Sequence, residues 1–297
     1  MSGERNHIYR RLAISVQMKV SVIGTPGSER AVFLGLLYET LVRMSTSERD
    51  MPPQVVVNAG PVEAKALGDL RLELLSGRWP SLEDERKVSG CALDLGFRKS
   101  SGSFFGSRGI RKVQLSSAPL SEKDVKVMRS SGQLREVLQG SPGGYIDRYG
   151  LDERFREALD NEAFILLADV STGAREGRWS IEEKDAFLAT VIENASRTRL
   201  GKERRIDPLV AMTGADRAET DDQQVFENMY PRTAKALRKV IPGDDPRSNI
   251  FVSWLATVPD AEGIPVPASI MDQGQVQIDY SEKEYRRLIG RIGDIAH

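Results

Sequence analysis

Eight consecutive residues carry the densest chemical information in the chain: Gly24-Thr25-Pro26-Gly27-Ser28-Glu29-Arg30-Ala31. They follow the apolar, β-branched run of residues 20–23 and precede Val32, Phe33, Leu36, Leu37 and Thr40 at helical spacing. A strand, a glycine-bearing turn and an amphipathic helix in that order make the frame of a phosphate-binding loop, spaced as Gly, four residues, Gly-Lys-Ser/Thr. In such a loop backbone amides at a helix N-terminus cradle phosphate oxygens, the lysine reaches the outer phosphates, and the hydroxyl binds magnesium. The spacing from Gly24 fits, but the three reactive places hold Glu29, Arg30 and Ala31. A carboxylate at Glu29 faces phosphate charge, and two unit charges ~4 Å apart repel by ~1 kcal/mol in water and several-fold more in a dry site. Arg30 keeps a positive charge, on a planar fork that does not enter a tight loop as an ammonium does. Ala31 has no hydroxyl for magnesium. Two readings stand open: a phosphate loop of altered chemistry using Gly24, Thr25, Pro26, Gly27, Ser28 and Arg30, or a turn that keeps the frame and holds no nucleotide.

Other chemistry is thinly represented. The two histidines, His7 and His297, lie near the ends, so no Ser/His/Asp arrangement can be drawn. One cysteine, Cys91, and two histidines do not make a structural zinc site. Cys91 falls in a strand pattern and reads as a small buried apolar residue. Asp169, with Ser171 and Thr172 after it, reads as a helix cap or loop bond. No catalytic residue and no metal ligand is assigned. Forty-two basic and 43 acidic residues leave a net charge of -1, which counts against a general nucleic-acid or membrane binder. The lone cysteine points to a reducing compartment, and no apolar run approaches the ~20 residues of a membrane helix. A charged start, Met-Ser-Gly-Glu-Arg-Asn-His, stands where a signal peptide would be apolar. The expected location is the cytoplasm, with no membrane partner.

One local exception to the balanced charge is Arg98, Lys99, Arg108, Arg111 and Lys112, which have no acid among them and are interleaved with Phe104 and Phe105. This stretch joins two strand patterns, so it reads as a long hairpin connection. It could grip nucleic acid or an acidic partner, or be a solvated tip. Two phenylalanines on a tip point to protein contact through Arg98, Phe104, Phe105, Arg108 and Arg111.

The remaining pattern alternates strands and helices. Short strands are expected at 55–57, 91–97 and 110–115, and buried ones at 163–169, 208–213 and 249–255. Helices are expected from 61 to a stop at Gly77, across most of 121–159, after Ser180-x-x-Glu183, between 225 and 240, and after Ser281-x-x-Glu284. The fold class that follows is α/β, three-layered, with a mostly parallel central sheet and one antiparallel edge strand from the 91–115 hairpin. Residues 1–17 read as an extension, and 18–297 as a single domain with insertions near 41–80 and 120–160. Ligands bind beyond the carboxyl ends of strands in such sheets, where Gly24, Ser116, Asp169, Thr213 and Ser253 fall.

With its helix Val32-Phe-Leu-Gly-Leu-Leu-Tyr38, this order of segments resembles the Ras-like domain of the P-loop GTPase superfamily. It is most similar to prokaryotic GTPase-like proteins whose phosphate loop runs into a Phe-Leu-x-x-Leu-Tyr helix. The resemblance spans residue 18 to the end and implies a P-loop NTPase, small-GTPase-like fold. The family's Asp-x-x-Gly, which holds magnesium and the attacking water, corresponds to Ser116-Ser117-Ala118-Pro119. Pro119 also lacks the N–H that the glycine would offer phosphate. The guanine-reading Asn/Thr-Lys-x-Asp corresponds to Thr213-Gly214-Ala215-Asp216, where Asp216 could accept from a guanine edge or cap a helix or turn. Ser253 stands at the family's Ser-Ala element, followed by Trp254. The first switch falls around residues 76–84, and no threonine occurs between Thr46 and Thr172. The resemblance therefore implies a catalytically inactive pseudo-GTPase, a regulatory or structural module with a protein partner or a homo-oligomer, and no cofactor. The alternative is a nucleotide switch or slow GTPase that holds GTP or GDP without the usual magnesium site, through Gly24, Gly27, Arg30 and Asp216. A third reading, a nucleic-acid accessory factor using residues 98–112, has the balanced net charge against it.

Overall fold

The computed structural model describes residues 18–25, 28–46, 55–98, 110–118, 155, 157–158, 160–170, 179–199, 206–214, 222–241, 246–272 and 274–296. Its centre is a sheet of seven strands: β1 (Met18–Gly24), β2 (Val55–Ala59), β3 (Ala92–Arg98), β4 (Ile110–Ser117), β5 (Ala163–Asp169), β6 (Asp207–Thr213) and β7 (Ile250–Val252). Their spatial order is β2-β3-β4-β1-β5-β6-β7. β1 pairs in parallel with β4 on one side and β5 on the other, and β6 and β7 continue in parallel.

β5 is buried at every position and β6 at all but its first, because helices cover both sheet faces. Alternate residues feed two separate cores. Val20 and Val22 of β1 with Ile165 and Leu167 of β5 face one of them. Ile23 with Phe164 and Leu166 face the other. The first core is closed by α1 (Arg30–Thr46), α2 (Pro61–Leu75) and α7 (Glu282–Ile295), through Phe33, Leu37, Leu70, Leu74, Tyr285 and Leu288. The second is closed by α4 (Ile181–Arg199), α5 (Asp222–Met229) and α6 (Pro231–Val240), through Phe187, Val191, Phe226 and Leu237. A short helix, α3 (Leu82–Lys87), lies between α2 and β3.

The pattern predicts an antiparallel strand at the sheet edge, but the antiparallel strand lies one place inside it. β3 pairs antiparallel with β4, from Ala92 opposite Ser116 to Arg98 opposite Ile110. β2 then pairs antiparallel with β3, outside it, and so becomes the edge strand. The reason is burial: Leu93, Leu95 and Phe97 of β3 bury one face in the first core, and Val55 of β2 extends that core by one more strand. The 225–240 stretch divides at Pro231 into α5 and α6. The strand expected over 249–255 keeps only three residues, since Asn249 ends a 3-10 turn and its amide donates to Pro208 O at 3.3 Å.

Of the capping patterns, Ser121-x-x-Asp124 lies outside the described residues, and Ser180-x-x-Glu183 and Ser281-x-x-Glu284 differ. Ser180 and Glu183 form the reciprocal pair, with Glu183 N donating to Ser180 Oγ at 3.2 Å and Ser180 N to Glu183 Oε2 at 2.7 Å. Ser281 does not cap α7. Its hydroxyl is engaged instead by Trp254, whose N–H donates to it at 3.1 Å. Between β7 and α7 the chain makes two small hairpins absent from the sequence reading: β8 (Thr257–Pro259) with β9 (Pro265–Pro267), and β10 (Ser269–Asp272) with β11 (Gln275–Ile278). The helix expected over 121–159 lies outside the described residues except for 155, 157 and 158, and so does the 1–17 extension. Among the described residues no helix is long and apolar enough to cross a membrane.

Candidate functional site

β1 is the topological switch point of the sheet. The chain leaves it toward β2, β3 and β4 on one side and resumes with β5 on the other. α1 runs onto one face after β1 and α4 onto the other after β5, so a crevice opens beyond their carboxyl ends, where ligands of such sheets sit. Residues 24–25 and 28–31 lie at that end of the sheet.

Gly24 ends β1 opposite Leu167. A Cβ there would stand 2.2 Å from Ser28 Oγ and 3.1 Å from Leu167, so only glycine lets the loop fold back this closely. Ser28 N donates to Thr25 O at 3.0 Å, and Thr213 Oγ1, at the end of β6, donates to Ser28 O at 2.9 Å. Thr25 and Ser28 are buried, and their hydroxyls have no hydrogen-bond partner among the described residues. Pro26 and Gly27 lie outside the described residues.

Glu29 has φ of 53°, and it is the sole non-glycine residue with positive φ among those described. The left-handed conformation that the second glycine of a phosphate loop adopts freely is imposed here on a residue with a Cβ, at about 1–2 kcal/mol. Glu29→Gly is therefore expected to raise stability by about 1 kcal/mol. Urea unfolding measures it, and an unchanged or lowered midpoint would count against a forced backbone.

The two following residues are turned toward protein groups. Arg30 Nη1 donates to Ala118 O, just past β4, at 2.9 Å. Arg30 Nε stands 3.5 Å from Glu85 Oε2, an ionic contact rather than a hydrogen bond. The other oxygen of that carboxylate, Glu85 Oε1, accepts from Ala31 N at 3.0 Å. A carboxylate from α3 thus occupies the N-terminus of α1, where orphan amides and the helix dipole favour an anion. α3 is fixed in turn by a capping box: Asp84 N donates to Ser81 Oγ at 3.2 Å and Ser81 N to Asp84 Oδ2 at 2.9 Å. The Ser81 hydroxyl, donating to Asp84 Oδ2 at 2.6 Å, and the Ser81 N–H hold the Asp84 carboxyl below its usual range.

On the other side of the crevice, Asp169 at the end of β5 is an ion-pair partner rather than a cap. Its Oδ2 lies 2.6 Å from Lys184 Nζ in the first turns of α4, and both side chains are buried. Tyr230 Oη donates to Asp169 O at 2.6 Å. Beside them, Asp185 caps α6 through Arg232 N at 3.0 Å and Thr233 N at 2.8 Å.

The sequence-derived site residues divide accordingly. Gly24, Thr25, Ser28, Arg30 and Thr213 meet around one loop. Ser253 lies apart, its hydroxyl 2.6 Å from Tyr285 Oη, tying the end of β7 to α7. Ser116 is in β4, paired with Ser21, and carries no carboxylate. Gly214 follows β6 with φ of 67°, and Asp216 lies outside the described residues. Of the basic hairpin, Phe104, Phe105 and Arg108 are outside them too, and only the backbone of Arg98 is described. Arg111 is placed in β4, not on a tip, and its guanidinium bonds Ala296 O at the end of α7. Cys91 is half-buried, which pushes its thiol up, and its Sγ donates to Lys87 O at 3.4 Å.

Sequence reasoning missed Glu85 and Lys184. Both sit in charged helical stretches that read as solvated faces, and only their distance partners set them apart. Among the described residues no group of three or more His, Cys, Asp or Glu side chains could hold a metal ion.

Fold and site together define an α/β protein with a mostly parallel seven-stranded sheet, in which Arg30 and the Ala31 amide, just after the switch-point strand, are engaged by Ala118 O and Glu85. No protein-family model matches the chain, and no curated protein matches it either.

Proposed function

We propose that the chain is a degenerate member of the Ras-like P-loop GTPase superfamily, a pseudo-GTPase that keeps the three-layer frame as a protein-interaction module and does not hydrolyse GTP. The observation that carries this reading is the use made of Arg30 and Ala31. In an active loop the basic side chain at the first place and the amide at the second both address phosphate. Here the first is directed to Ala118 O and Glu85, and the second donates to the Glu85 carboxylate. Ala31 and Ser116 offer neither the hydroxyl nor the carboxylate that would hold magnesium. The proposed setting is cytoplasmic, with a protein partner or a second copy of the chain. The exposed Ile270, Met271 and Val276 of the β10–β11 hairpin are apolar surface of the kind such contacts use.

Phosphate release from GTP by the purified chain, with magnesium, tests the reading. The expected rate equals that of buffer alone, and magnesium-dependent turnover above it would overturn the proposal. A second reading, a nucleotide switch without the usual metal ligands, is favoured by one observation. The loop has a left-handed residue, Glu29, and two buried hydroxyls, at Thr25 and Ser28, without a partner among the described residues. Calorimetric titration with guanine nucleotides, with and without magnesium, separates the two: heat of binding supports the switch, and none at millimolar ligand removes it.

A further inference from the structure

We infer that Glu85 is a built-in occupant of the phosphate cradle: an autoinhibitory latch, carried on α3, whose carboxylate takes the place at the N-terminus of α1 that a phosphate group would need. The inference rests on the phosphate-loop frame of the proposed function and adds to it a regulated occupant.

Three observations converge on the latch. The carboxylate makes the two contacts a phosphate oxygen pair would make, one to the Ala31 amide at 3.0 Å and one to the Arg30 guanidinium at 3.5 Å. It comes from outside the loop, 54 residues along the chain, so nothing in the local turn requires it there. And the loop that precedes α1 is not fully satisfied. The Thr25 and Ser28 hydroxyls are buried without a partner among the described residues, with Ser28 Oγ folded back against Gly24 inside the loop. Hydroxyls left over in the loop that leads into this helix start suit an oxyanion with more acceptor atoms than a carboxylate.

The means of release is also in the fold. α3 has six residues, anchored by its Ser81–Asp84 capping box at one end and by buried Val88 at the other. Glu85 lies between the two anchors, and its side chain keeps about a quarter of its surface exposed. Rotation of this one side chain away from Ala31 opens the α1 N-terminus without moving β1 or α1. Phosphate and Glu85 compete for the same amide and guanidinium, so a ligand that binds must expel the carboxylate, and a partner that draws α3 aside would admit the ligand.

The test compares the wild-type chain with Glu85→Ala and Glu85→Gln, titrated calorimetrically with inorganic pyrophosphate and with GDP. Removing a carboxylate ~4 Å from the incoming charge is expected to tighten pyrophosphate binding by about tenfold or more in Glu85→Ala. Glu85→Gln, which keeps the side-chain volume and the bond from Ala31 N, is expected to fall between it and wild type. It also carries the test should the alanine variant fail to fold. Adding Arg30→Gln to Glu85→Ala should abolish the gain. A gain with pyrophosphate alone supports a latch against phosphate, and a gain with GDP as well extends it to the nucleotide. The latch is overturned if neither variant binds more tightly than wild type, or if wild type already binds as tightly as Glu85→Ala. GTP turnover by wild type would overturn the pseudo-GTPase reading and leave this comparison standing, so the two can fail separately.

Discussion

Replacing Lys184 by alanine is expected to lower the stability of the chain by about 3–5 kcal/mol, because it takes the charged partner away from the buried Asp169 carboxylate. Asp169 has no exposed surface and Lys184 almost none, and their charged atoms are 2.6 Å apart. An ion pair so placed contributes little net stability over a well-packed apolar pair, since both charges are desolvated. Removing one partner leaves that desolvation uncompensated. Packing raises the cost further, because Tyr230, whose hydroxyl donates to Asp169 O, is itself buried and does not readily admit water. Urea unfolding followed by circular dichroism measures the loss. The double variant Asp169→Asn with Lys184→Met, which removes both charges, should recover most of it. A loss below about 1 kcal/mol for Lys184→Ala would show that Asp169 is neutral or otherwise satisfied in the folded chain.

The second large effect is expected in alkaline solution. Tyr230, Tyr280 and Tyr285 are buried, and burial pushes each phenol well above its ordinary value of 10.0. The neighbouring Asp169 charge adds to the shift for Tyr230, while hydrogen bonds with Thr40 and Ser253 partly offset it for Tyr280 and Tyr285. In the unfolded chain these phenols lose their protons near pH 10, and in the folded chain they keep them to higher pH. The unfolded state therefore binds fewer protons above pH 10, so the stability is fully present below that pH and falls above it. The slope is about 1.4 kcal/mol per pH unit for each tyrosine, or about 4 kcal/mol per unit for the three together. Ultraviolet absorbance of tyrosinate during an alkaline titration checks this. Three of the seven tyrosines should ionise only in step with the cooperative loss of circular dichroism. Smooth ionisation of all seven before that loss would rule out the proposed burial effect.

These two effects mark where sequence reading reached and where it stopped. β1, β5 and β6 were legible because a strand covered on both faces is mostly apolar, and runs such as Ala163–Asp169 leave little else to form. The start of α4 was legible because Ser180 and Glu183 satisfy each other's amides within one turn. Ser281 and Glu284 present the same spacing and did not behave alike, since Trp254, remote in the chain, competes for the Ser281 hydroxyl. The antiparallel strand was identified, but its place in the sheet was misjudged. Strand order depends on which edge buries more apolar surface, and β2 shows that only once it lies against β3. The hairpins between β7 and α7 were missed because their strands are three or four residues long and largely exposed, with no periodicity to read.

The loop of residues 24–31 shows the division most sharply. The sequence alone determines what is missing there: Ala31 has no hydroxyl and Ser116 no carboxylate, and no packing can restore an absent atom. It also determines the frame, since Gly24 must be glycine for Ser28 to fold back upon it, and the strand and helix on either side are set by local apolar spacing. Only the tertiary structure decides what fills the frame. Arg30 finds its partners at Ala118 and Glu85, and Lys184 finds Asp169, across separations of 88, 55 and 15 residues by their numbers. The physical reason is range. Backbone preference and amphipathic spacing act over a few residues and are written locally, whereas the partner of a charge in a crevice is chosen by whichever distant element the folded chain carries to it.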